Sequence, residues 1–188
     1  MQFPVRVRHS AFDRAIQRLR DGRTGESGYG RRVALVLTIP TYEDPAALDI
    51  RRSATTDELY VVRTVWRRAL DTTSVRETRE TFMNARLLAV GLDITTAHQP
   101  SLISSSVPVD AKRLEALLES VAAATITCHV RQPEPPVAAT VFELTLGDEL
   151  TETRYRWVGD PPDGWAALGA FVRQLMHLVD APANAAAR

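Results

Sequence analysis

Residues 140–158, TVFELTLGDELTETRYRWV, carry the pattern that decides the fold. Thr140, Phe142, Leu144 and Leu146 alternate with Val141, Glu143 and Thr145; beyond the turn at GDEL, Tyr155 and Trp157 alternate with Arg154 and Arg156. A period of two on both sides of a glycine-bearing turn predicts an antiparallel hairpin with one apolar and one polar face. Glu143 then opposes Arg154 or Arg156 on the outward face, an ordinary cross-strand charge pair contributing roughly 0.2–1 kcal/mol. Asp160, Pro161 and Pro162 follow and set up a helix N-terminus, and Trp165, Leu168, Val172, Met176 and Val179 mark that helix's buried stripe. The two patterns require each other, so Phe142, Leu144, Tyr155 and Trp157 are expected to share one core with Leu168, Val172 and Met176.

Working outward, VALVLTI at 33–39 is a short apolar run between Arg32 and Pro40, the signature of a central strand buried on both faces. Residues 59–70 fit helix by spacing and strand by residue type, and the β-branched and aromatic content decides for strand. LDITTA at 92–97 and TITCHV at 125–130 also read as strands. Helices are expected at 11–21 (Ser10 as cap, Gly22 as stop), 75–90 (a Ser74–Glu77 capping box), 111–122 (Asp110 as cap) and 162–179. RQPEPP at 131–136 is an extended connector within one domain, because the fifty or so residues after it make a very small independent core. These elements predict an α+β fold, a mainly antiparallel sheet with about four helices covering one face, closing in the hairpin and C-terminal helix. The domain spans 1–180 and 181–188 is a flexible C-terminal tail.

Composition narrows the classes. The 188 residues are 45% apolar and 24% charged, so the chain can bury an ordinary core and belongs with globular proteins. No apolar run approaches the roughly 20 residues of a membrane span, and the charged start MQFPVRVRHS does not look like a signal peptide. One cysteine, Cys128, cannot close an internal disulfide, which favours a reducing, cytoplasmic location. Of the 23 basic residues only Lys112 is lysine, the bias that GC-rich coding produces in many bacteria. Net charge is zero, but residues 1–90 carry +5 and residues 91–188 carry −5. The simpler reading of that dipole is two halves that pack together and neutralise each other.

No catalytic constellation assembles in the sequence. Cys128 and His129 are neighbours on an expected strand, where their side chains point to opposite faces, so Cys128 reads as a small core residue. His9, His98, His129 and His177 show no metal-ligand spacing, and no cofactor or metal is expected. The glycine-rich stretch at 22–30 follows a helix and opens a strand, the reverse of a phosphate loop. Glu43, Asp44 and Asp49 offer no spacing that singles out an acid–base pair. Trp66, Trp157 and Trp165 read as core more readily than as an exposed recognition surface.

The positive feature is a run of eight arginines in residues 1–32, against Asp13, Asp21 and Glu26. Arg14 and Arg18 lie one helical turn apart, and with Arg31 and Arg32 they are the candidate partner-binding residues, expected to project into solvent while Phe12, Ile16 and Leu19 are buried. The expectation is a non-enzymatic cytosolic interaction or accessory protein of a bacterial system that binds a protein partner. The alternatives are a hydrolase without metal whose groups meet only in the fold, and an arginine-mediated nucleic-acid binder.

Overall fold

In a computed structural model the chain is described at residues 11–22, 30–71, 100–128, 130, 134, 138–147 and 151–181. The expected helix at 75–90, the expected strand at 92–97, the Ser10 cap and the tail beyond Ala181 lie outside them. The order of elements is α1 (Ala11–Asp21), β1 (Arg31–Ile39), β2 (Ala46–Arg52), β3 (Leu59–Trp66), β4 (Leu102–Val107), α2 (Ala111–Ala122), β5 (Val141–Leu146), β6 (Thr153–Val158) and α3 (Ala166–Asp180). The strands form one six-stranded, open, fully antiparallel sheet in the order β4-β3-β2-β1-β5-β6. The fold is α+β with a mainly antiparallel sheet, as the alternating patterns predict.

The hairpin forms with the expected faces, and its register decides between the two possible partners of Glu143. Phe142 opposes Trp157, Glu143 opposes Arg156 and Leu144 opposes Tyr155. Leu144, Trp157, Leu168, Phe171, Val172 and Leu175 are buried together with Ala34, Val36, Ile50 and Val61 of the inner strands and Leu114 and Val121 of α2. The Trp157 ring stacks on Phe142 at 5.6 Å and meets Trp165 edge-on at 6.3 Å. Met176 departs from the expectation: it is exposed, and Leu175 takes the core position beside it. Asp110 caps α2 as expected, accepting the amides of Lys112 and Arg113.

Two other expectations fail for traceable reasons. The helices do not cover one face: α2 and α3 pack on one side of the sheet, and α1 packs on the other through Ala15, Ile16 and Leu19 against Leu35, Leu37, Ile39 and Ala47. A strand as apolar on both sides as β1 requires a cover on each. Residues 125–128 are not strand; the Thr127 carbonyl instead accepts the Trp165 indole N–H at 2.8 Å, tying this segment to the 3₁₀ turn Asp163–Trp165. Strand β3 ends at Trp66, and 68–71 is helical, so the 59–70 reading holds only for its first eight residues.

β2 and β4 were not foreseen. β2 carries two alanines and a buried aspartate, which weaken its strand signal, and the serine-rich β4 is an edge strand with only one partner.

Candidate interaction surface

The two faces of the sheet differ in chemistry. Period-two alternation sends Ala34, Val36, Leu48, Ile50, Val61, Leu144 and Trp157 toward α2 and α3. The α1 side receives the opposite set, which includes Asp49, Thr64, Glu143 and Thr145, the four buried polar residues among those described. Burying carboxylates is costly unless they are paired, and both are paired with arginine.

Asp49 sits mid-strand in β2 with its side chain only 6% exposed. Arg32 Nε donates to Oδ1 at 3.0 Å and Arg51 Nε donates to Oδ2 at 2.9 Å. Arg32 reaches this face because β1 has a bulge between Arg32 and Ala34, which breaks the alternation and turns Arg32 to the side opposite the one its parity dictates. Arg32 was expected in solvent and is instead a half-buried structural ion-pair partner. Above the triad lies Gly22, which ends α1 at φ +60 with its amide bonded to the Arg18 carbonyl. A Cβ there would approach Arg32 Nη2 to 2.4 Å and Asp49 Oδ2 to 2.5 Å, so the helix comes this close only because the residue is glycine.

Glu143 is the second buried carboxylate. Arg20 from the last turn of α1 grips it with both ends of the guanidinium, Nη2 to Oε1 at 2.6 Å and Nε to Oε2 at 2.8 Å. Arg156, its cross-strand neighbour, adds a looser contact at 3.6 Å. The expected hairpin charge pair is therefore present, but its face is covered by α1 and the dominant partner comes from 123 residues away. The hydrogen bonds to Glu143 hold the Arg20 guanidinium above its ordinary range, with partial burial pulling the other way.

Between α1 and the β1 and β6 strands runs a groove of about 610 Å³, lined by Phe12, Asp13, Arg14, Ile16, Gln17, Arg18, Arg20, Ile39 and Arg156. Four arginines stand around Phe12, the exposed apolar part of the lining, while Ile16 and Ile39 beneath it are buried. Phe12 was expected to be buried; it is 41% exposed, its ring edge-on to Trp66 at 5.6 Å. Arg14 is half-buried and Arg18 exposed, and both line the groove, whereas Arg31 is exposed at the start of β1 and Arg32 belongs to the Asp49 triad. The structure thus brings together two of the four candidate arginines. It adds Arg20 and Arg156, which sequence reasoning missed as a pair because only the packing of α1 on the hairpin joins them. The parity of the hairpin did place Arg156 beside Glu143.

Cys128 is exposed and free, not a core residue, because its segment leaves the sheet. Among the described residues no group of three metal-ligating side chains assembles, and no helix is long and apolar enough to cross a membrane. No protein-family model matches the chain, and no curated protein or solved structure shows significant similarity to it.

Proposed function

We propose that the chain is a non-enzymatic cytoplasmic accessory protein of bacterial origin, a single domain over 1–180, that binds a protein partner through the arginine-bearing flank of α1. The observation that carries this reading is the groove itself: among the described residues, arginines from one helix and one strand converge on an exposed phenylalanine ring, Phe12. The two buried carboxylates support it from the other side. Each has both oxygens occupied by guanidinium donors, Glu143 tying α1 to the sheet through Arg20 and Asp49 joining β1 to β2 through Arg32 and Arg51, an arrangement suited to holding structure and not to moving protons. The nearly lysine-free basic complement supports a GC-rich bacterial source, and an exposed free thiol at Cys128 is at home in a reducing compartment.

The test compares the proteins captured from source cells by the wild-type chain and by the double variant Arg14→Glu/Arg18→Glu. A partner retained by the first and lost by the second is expected, with a denaturant melt run beside it to show that the double variant is folded, since Arg14 is half-buried. Equal recovery of every captured protein by both chains overturns the reading.

A further inference from the structure

The groove also specifies what kind of partner fits it. We infer that it takes a segment of acidic peptide in which glutamates or aspartates alternate with apolar side chains, the carboxylates meeting the arginines and an apolar residue seating on the exposed Phe12 ring; this rests on the interaction reading above.

Three features lead there. The first is the state of the arginines. Arg20 spends two of its five N–H donors on Glu143 and is 26% exposed, so it presents the rest of a rigidly held guanidinium toward the groove. Arg156 is 63% exposed and touches Glu143 only loosely, which leaves its guanidinium able to turn to a ligand. A planar, pre-oriented guanidinium binds a carboxylate with two parallel hydrogen bonds and loses little side-chain entropy in doing so.

The second is the floor. Phe12 and Ile16 are four residues apart on one stripe of α1, and Ile39 faces them from the end of β1. Ile16 and Ile39 are buried, so the exposed part of the floor is the Phe12 ring; a ligand that brought charge alone would leave that ring wet, whereas one apolar side chain of a peptide covers it.

The third separates peptide from nucleic acid. Phe12 is the one aromatic side chain among the described lining residues, whereas successive bases of a single strand stack on successive rings.

The experiment is fluorescence anisotropy with three labelled probes: a short peptide of interspersed glutamates and leucines, the same peptide with glutamine for every glutamate, and a single-stranded oligonucleotide of matching length. The full chain is expected to bind the first saturably. The glutamine peptide, the Arg14→Glu/Arg18→Glu variant and the single variants Arg156→Glu and Phe12→Ser are each expected to weaken that binding by about tenfold or more, as loss of a charge-assisted bond or an anchor does. Arg156 and Phe12 are exposed enough that these two variants report on binding even if the double variant folds poorly. Equal affinity for the glutamate and glutamine peptides, no binding of either, or tighter binding of the oligonucleotide with a steep loss as salt rises overturns the inference. If the peptides fail while the Arg14→Glu/Arg18→Glu variant still loses a cellular partner, the choice of ligand falls and the interaction surface stands. If that variant loses no partner, the surface itself falls.

Discussion

At the residue scale the most consequential groups are Asp49, Glu143 and Gly22. Asp49 holds two arginines whose side chains are 13% and 14% exposed, so removing it leaves two guanidinium groups facing each other away from water. Asp49→Ala is expected to cost about 3–5 kcal/mol, measured by denaturant unfolding, because breaking a buried pair leaves uncompensated charge behind. A loss below about 1 kcal/mol would mean that the triad is wetter than its geometry indicates. Gly22→Ala forces a side chain into the left-handed region and against the same triad, and is expected to lower stability by roughly 1–2 kcal/mol or more. For Arg20, the folded state raises the affinity for a proton, so its contribution is fully present below the unfolded value and is lost only as pH rises through the folded one. Across the ordinary pH range that contribution is constant. Cys128, exposed and outside the sheet, is expected to react with a thiol reagent in the native state about as fast as a small model thiol, and Cys128→Ser is expected to leave the unfolding midpoint unchanged.

At the scale of elements, the β5–β6 hairpin and α3 form the strongest unit. Leu144 is fully buried between Trp157 and the α3 residues, and Leu144→Ala is expected to cost about 2–5 kcal/mol in denaturant melts. A loss under half a kilocalorie would contradict the burial. The sequence made this unit readable because its period of two and its helical stripe are both unbroken. The β2 strand shows the opposite case. Asp49 and the arginines that follow it give AALDIRR the look of a polar connection, and it is a strand because β1 on one side and β3 on the other satisfy its backbone. In the same way, residues 125–128 of TITCHV have the composition of a strand and pair with none among the described residues.

For the whole molecule, the opposite charges of the two halves of the sequence meet in the fold. Arg20–Glu143, Arg52–Glu115 and Arg63–Asp180 each join an arginine of residues 1–90 to an acid of residues 91–188. The last two pairs are exposed, and Arg52→Ala and Arg63→Ala are each expected to change stability by less than about 1 kcal/mol, in contrast to the Asp49 variant measured in the same melts. β1 pairs on one edge with its neighbour β2 and on the other with β5, where Ala34 meets Leu146. Such non-local pairing has a large loop-closure cost, so refolding monitored by tryptophan fluorescence is expected in the millisecond-to-second range.

The sequence by itself determined the local patterns: the hairpin and the faces of its strands, the α2 boundaries and cap, the end of α1 at Gly22, the two-sided burial of β1 and the arginine-rich first segment. Each depends on residues close in the chain, whose periodicity or turn chemistry is independent of what they pack against. Only the tertiary structure decided which arginines act together. A one-residue bulge moved Arg32 from the surface to Asp49, and the packing of α1 against the opposite end of the chain brought Arg20 to Glu143 and Arg156. Those outcomes turn on register irregularity and long-range contact, which spacing along one strand or helix does not encode.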